Sequence, residues 1–126
     1  MFFSVPNNTE AAKCTKIILS KEKPPTAILC TCDSYAQSVV STAVQMGWRI
    51  PDDITVVGYN DTEESRNLYI PLTTVKQPTL PASEAVIEEL MRQINLNLAG
   101  TKSYPVNIII KPELIIRSSS CPPRYL

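Results

Sequence analysis

Residues 24–78 read PPTAILCTCDSYAQSVVSTAVQMGWRIPDDITVVGYNDTEESRNLYIPLTTVKQP, and this stretch decides the fold. The run from Thr26 to Cys30 reads as a buried strand, as a sheet covered on both faces requires. A polar turn follows, in which Ser34 with Gln37 three residues on has the capping-box pattern. Ala36, Val39, Val40, Ala43 and Val44 then share one helical face, and Gly47 stops the helix. Pro51-Asp52-Asp53 is a turn, Ile54 to Gly58 a second buried strand, and Leu72 to Lys76 a third. Between those two strands Asp61, with Glu64 behind it, has the pattern of an N-cap opening a short helix to about Asn67. Strand, helix, strand in about thirty residues is a βαβ crossover, the connection that parallel strands need. Ligands of open parallel sheets sit beyond the carboxyl ends of the strands. The sequence therefore predicts an α/β domain with a pocket edged by Cys32-Asp33 and Asn60-Asp61.

Outward from this centre, Thr9 to Ser20 carries a helical stripe of Ala11, Ala12, Cys14, Ile17, Ile18 and Leu19 that ends before Pro24-Pro25. Met1 to Pro6 reads as the ragged end of an upstream segment. On the other side, Pro78 and Pro81 open a long helix to about Leu98, with Val86, Ile87, Leu90, Met91, Ile94 and Leu98 as its expected core stripe. Gly100 ends it. Val106 to Ile110 and Leu114 to Arg117 read as two short strands broken at Pro112, and Ser118 to Leu126 as a frayed tail.

The 126 residues suit one domain, large enough to bury roughly two-thirds of its unfolded surface. A hydrophobic share of 44% and a charged share of 19% are ordinary for a water-soluble α/β domain. Twelve basic and twelve acidic residues cancel. A self-sufficient DNA-binding domain needs a basic stripe against the phosphates, and none is present. No run approaches the roughly 18 apolar residues of a membrane-spanning helix, and Met1 to Pro6 lacks the regions of a secretory signal. Cys14, Cys30, Cys32 and Cys121 form no C-x-x-C pair and the chain has no histidine. Reduced, mostly buried thiols in a cytoplasmic protein are the better reading than a metal site. No catalytic constellation and no cofactor motif is found. Asp61, Glu63 and Glu64 lack the partners an acid/base site needs and read as solvated surface.

The same stretch closely resembles the effector-binding core of the lactose/galactose-repressor family of bacterial transcription regulators. The residues that carry the resemblance are Pro25-Thr26-Ala27, Cys32-Asp33, Gly47-Trp48 with Ile50-Pro51, Gly58-Tyr59-Asn60-Asp61, and Leu72-Thr73-Thr74-Val75 with Gln77-Pro78. Lys111-Pro112-Glu113-Leu114, Ile116-Arg117 and Pro122-Pro123 match the family's closing pattern. Each short motif alone is weak; the ordered set over residues 8 to 123 is specific. The resemblance implies a parallel sheet with flanking helices, an incomplete C-terminal lobe of the periplasmic-binding-protein-like type. By it, residues 1–7 are an upstream end, 8–76 most of the second lobe, 77–112 a return into the first lobe, and 113–126 the final strand and tail. It also implies a cytoplasmic regulator that senses a small, sugar-like effector and pairs as a homodimer or higher oligomer. DNA would be bound only through a headpiece outside these residues. A transport-type sugar-binding protein of the same architecture is the alternative, which a secretion signal would favour.

Residue by residue, the resemblance places effector contacts at Asn60, Asp61, Cys32, Asp33 and Thr79. Asn60 stands where the family usually has Asp, and Cys32 where it has Asn. An amide donates as well as accepts, and a thiol is a poor replacement for an amide. Helix capping competes as the role of Asp61, and Asp33 equally suits a helix N-terminus. Thr79 follows the lobe crossover, where the family has a pocket-lining side chain. Trp48 reads as packing beneath its turn. The family's dimer face corresponds to Gln37, Val40, Ser41, Val44, Glu64, Leu68 and Tyr69, with core packing an equal reading for the two valines.

Zero net charge and the absence of a recognition-helix motif predict that these 126 residues alone bind no duplex DNA selectively. A gel-shift titration at physiological salt should show no sequence-selective complex tighter than about 1 μM.

Overall fold

The computed structural model describes residues 7–121; the expectations for Met1 to Pro6, for Pro122-Pro123 and for the last residues of the tail lie outside them. The elements run α1 (Asn8–Leu19), β1 (Ala27–Leu29), α2 (Asp33–Gln45), β2 (Thr55–Tyr59), α3 (Glu63–Arg66), β3 (Thr73–Lys76), α4 (Thr79–Leu98) and β4 (Glu113–Ile115). They form one sheet in the order β1-β2-β3-β4. β1 pairs with β2 in parallel at Ala27–Thr55, and β2 with β3 in parallel at Val57–Thr73. The chain divides into two compact units. One holds the chain up to Lys76 and from Leu114 onward; the other is Gln77–Glu113.

In the first unit the periodicity of the sequence is largely met, with Ile17 of α1 and Val44 of α2 exposed where their stripes predict burial. Asn7 caps α1, its side chain accepting from the Glu10 N–H at 3.0 Å. Ala36, Val39 and Val40 of α2 pack with Cys30, Val56 and Leu72, while Leu19, Ala43 and Ile54 form a second cluster that Trp48 covers. Ile54, Val56 and Leu72 are fully buried, each contributing about 1.5–3 kcal/mol by leaving water. Gly47, with φ 85°, takes the left-handed turn after α2 that a side chain would resist.

Several local expectations give way to tertiary contacts. α2 begins at Asp33, so Ser34 is inside the helix and not its cap; the extended residue before it is Cys32. Asp61 does not cap α3. Thr62 does, its hydroxyl accepting from the Ser65 N–H at 3.3 Å, because the Asp61 carboxylate is taken by arginines. Among the described residues β1 is an edge strand, not one covered on both sides: Ala27 and Leu29 are exposed on it.

The segment after β4 is not frayed over its described part. Ser119 is fully buried. Its N–H donates to the Pro71 carbonyl at 3.1 Å, and its own carbonyl accepts from the Val56 N–H at 2.9 Å. Its hydroxyl accepts from the Thr73 N–H at 2.8 Å and donates to the Val56 carbonyl at 2.5 Å. Ser119 thus fills the gap where β3 has not yet begun beside β2, and backbone groups that cannot be left dry are satisfied.

In the second unit α4 has the expected length, but its apolar stripe is no core. Val86, Ile87, Leu90, Met91, Ile94 and Leu98 are all between 42% and 82% exposed, and no residue of the helix is buried. Val106 to Ile110 forms no strand. A strand exists only through ladder bonds to a neighbour, and this unit offers none. The segment instead lies along α4, where Val86, Leu90, Val106, Ile108 and Ile110 line an open groove of about 610 Å³.

Ser119→Ala should lower stability by about 1–3 kcal/mol, since it strands the Thr73 N–H and the Val56 carbonyl without moving any apolar surface. Urea unfolding should show a lower midpoint at an unchanged slope.

Candidate functional site

The site is built at the carboxyl ends of β1 and β2, where the turns 30–33 and 59–62 emerge. Its fixed point is Asp33, fully buried in the first turn of α2. A buried carboxylate is costly unless both oxygens find donors. Here Oδ1 accepts from the Thr74 hydroxyl at 2.6 Å and Oδ2 from the Thr62 N–H at 2.8 Å. The carboxylate lies so close to β2 that a Cβ on residue 58 would collide with Oδ1 and fall 2.7 Å from a Leu72 methyl. Only glycine fits there.

Beyond Gly58 the backbone enters unusual conformations at two successive residues, Asn60 with φ 118° and Asp61 with φ 56°. Non-glycine residues at positive φ are uncommon and gather at functional sites. The Asn60 N–H donates to the Val75 carbonyl at 2.9 Å, and the residue is exposed. Asp61 is buried. Its Oδ1 accepts from Arg117 Nη2 at 2.5 Å and its Oδ2 from Arg66 Nη2 at 2.7 Å. Arg66 Nη2 also donates to the Asp61 carbonyl at 3.2 Å, and Arg117 Nη1 to the Leu72 carbonyl at 2.8 Å. Burial alone would raise the Asp61 pKa; the hydrogen bonds from Arg117 and Arg66 outweigh it and hold the carboxyl below its ordinary value.

Asp33 and Asp61 are brought into one network through Thr74, whose hydroxyl accepts from the Asp61 N–H at 3.4 Å while donating to Asp33. Cys32 precedes α2 with its sulfur 3.2 Å from the Ser34 hydroxyl. Thr79 opens α4 in the second unit. Of the residues matched to a dimer face, Val40 is core and Leu68 packs against that core, whereas Ser41, Val44 and Glu64 are exposed and Tyr69 fully so; Gln37 is half-buried. Thr74 and Arg117 stand in the family pattern without a role read for them there, and Arg66 and Thr62 had no local signature. Gly58 between apolar strand residues was a further hint, since it marks a close approach of some other group.

Among the described residues no group of three His, Cys, Asp or Glu side chains is placed to hold a metal ion. Cys30 is buried, and desolvation, with the neighbouring Cys32 and Asp33, pushes its thiol up to about 12. Such a thiol is inert, not nucleophilic. Every buried side-chain nitrogen and oxygen among the described residues has a partner.

Residues 3–120 match the family model of the periplasmic binding protein-like domain. The chain is 37% identical over 107 residues to the HTH-type transcriptional repressor PurR of Haemophilus influenzae, covering 85% of this chain and 32% of that protein. It is 36% identical over 117 residues to PurR of Photobacterium profundum, covering 93% and 33%. Among solved structures, a LacI family transcriptional regulator from Bifidobacterium animalis superposes with a TM-score of 0.80 at 27% identity over 96% of this chain and 43% of that one. A LacI transcriptional regulator from Rhodococcus gives 0.76 at 29% over 90% and 40%. A LacI family regulator from Lactobacillus casei with bound sucrose gives 0.71 at 28% over 90% and 40%. The chain belongs to the periplasmic binding protein-like domain family, and within it to the effector-binding part of lactose/galactose-repressor regulators. It spans about a third of the length of the curated relatives it matches.

The ionised Asp61 contributes stability above the ordinary carboxylate pKa of about 4, and that contribution is lost as pH falls through the lower folded value. Asp61→Asn should therefore lower the thermal midpoint clearly at about pH 7. The gap to the unsubstituted chain should narrow as acidification proceeds below about pH 4, followed by circular dichroism melts.

Proposed function

We propose that this chain is the effector-sensing and self-association part of a bacterial transcription regulator, acting in the cytoplasm and catalysing no reaction. The observation that carries the reading is its family membership over residues 3–120, joined to relatives that are named as transcriptional repressors. An exposed, left-handed Asn60 at the carboxyl end of a central parallel strand supports an effector contact there. Cys32, beside the first turn of α2, borders the same ends of the sheet and is the second contact we assign. Asp33 and Asp61 support the site from behind, since both carboxylates already hold strong internal donors. Thr79 keeps, by the resemblance alone, a pocket-lining role in the whole regulator. Residues 77–112 are, in this reading, the return into the first lobe.

The effector is a small polar metabolite whose groups accept as well as donate, which the Asn60 amide suits better than a carboxylate would. The regulator from Lactobacillus casei holds sucrose, which supports a sugar-like class. DNA is contacted through a headpiece outside these residues. Binding alters DNA affinity by favouring one arrangement of the lobes over another, as it must to shift any equilibrium. Self-association uses the face of Ser41, Val44, Glu64 and the fully exposed Tyr69, with Gln37 beside them. No helix among the described residues is long and apolar enough to cross a membrane.

A thermal-shift screen of mono- and disaccharides should find a compound that raises the melting point of the full-length regulator. Asn60→Ala should leave the ligand-free melting point nearly unchanged and cost about 1–3 kcal/mol of affinity for that compound by calorimetry. Unchanged affinity would remove Asn60 from the contact surface.

A further inference from the structure

The loop that carries Asn60 is strained at two residues, and strain of this kind persists only where the surroundings over-determine it. Asn60 donates its N–H to the Val75 carbonyl, and Asp61 is held by a long bond to Thr74 and by two arginines. Arg66 stands on α3 immediately after the loop and is half exposed. Arg117 is different: it is 56 residues away in sequence, its side chain is 17% exposed, and its other terminal nitrogen is fixed on the Leu72 carbonyl. Its backbone is fixed as well. The Arg117 N–H donates to the Thr73 hydroxyl at 2.8 Å, and that hydroxyl lies 3.1 Å from the Arg117 carbonyl. The residue lies three positions beyond Leu114, where the chain returns from the second unit, and Thr73 opens the strand whose end leads into that unit.

We propose that the Asp61–Arg117 pair is a latch that holds Asn60 in its left-handed conformation and ties the Asn60 loop to the strand by which the chain returns from the second unit. Asp61 is then a positioning residue. Its carboxylate is spent on the latch, and a displacement of Asn60 is delivered to Arg117 and from there to the β4 segment. The partly buried guanidinium fork suits this role, because two directed hydrogen bonds fix an orientation that a lysine ammonium does not. The proposal deepens the effector-sensing reading and rests on it for its biological use, but its physical content is independent of any effector.

The test is made on the full chain without ligand, so that it fails or succeeds separately from effector binding. Amide hydrogen exchange is compared in the unsubstituted chain, Arg117→Lys and Arg117→Met. Exchange at residues 60–62 should accelerate at least about tenfold in both variants, with α1 and the β1–β2 ladder unchanged. Asp61→Asn should accelerate exchange at residues 114–118 in the same selective way. Asn60→Gly is then introduced into the unsubstituted and Arg117→Lys backgrounds. Glycine relieves strain only where the latch imposes it, so it should raise the melting point more in the unsubstituted chain than in Arg117→Lys. The unfolded-state cost of glycine is common to both backgrounds and cancels. If Arg117→Met does not fold, the lysine variant alone carries the comparison. Unchanged exchange at 60–62 in Arg117→Lys, acceleration spread evenly over the whole chain, or an equal effect of Asn60→Gly in both backgrounds would overturn the latch.

Discussion

The buried carboxylate of Asp33 is the contact on which the rest of the first unit depends. It sits where a charge is tolerable only if both oxygens are bound, and the two donors come from different parts of the chain, the Thr74 hydroxyl on β3 and the Thr62 N–H ahead of α3. Satisfying one side chain therefore fixes the start of α2, the position of β3 and the entrance to α3 together. The same carboxylate forbids any side chain at residue 58, so the end of β2 can lie close to α2 only as glycine. From that point the chain must turn, and it does so through the two left-handed residues that present Asn60. The exposed polar group of the site is in this sense set by a buried one.

A second layer of constraint comes from long-range hydrogen bonds between side chains and backbone. Ser119 bonds to Val56, Pro71 and Thr73, and Arg117 to Asp61, Leu72 and Thr73. None of these depends on apolar area. They close the polar groups that a short parallel sheet leaves open at its margins, and a residue read as a loose tail becomes one of the most buried in the molecule. The second unit is organised differently. It is one long helix with a segment lying along it, its apolar side chains still in contact with water.

Much of this architecture was legible because local pattern and tertiary role agree. The stripe of α2, the apolar strands on either side and Gly47 between them locate the parallel βαβ core within a residue or two. Legibility failed where two residues competed for one role. Asp61 and Thr62 are both good caps, and it is the two arginines, Arg66 and the distant Arg117, that commit Asp61 elsewhere. It failed also where a pattern predicts a partner rather than a structure: Val106 to Ile110 has strand composition, but no strand pairs with it, and the α4 stripe is amphipathic without a cover. The site was half visible. The turn that holds Asn60 and Asp61 could be found from Gly58 and the family pattern, whereas Arg66 left no mark and Arg117, though in the closing motif, gave no sign that it pairs with Asp61.

The place of Ser119 has a consequence for how the chain is made. The Val56 carbonyl waits for a donor 63 residues downstream, and the whole of Gln77–Glu113 is synthesised in between. On the ribosome, β2 and β3 therefore emerge with backbone groups that water alone can satisfy until residue 119 is made, and that cannot be buried without cost before then. Contacts so distant in sequence form slowly, and open strand margins are what promote mispairing meanwhile. The last polar groups of β2 and β3 are not closed in the order in which the elements are made. It closes late, when a serine near the far end of the described chain reaches back into a sheet assembled long before it.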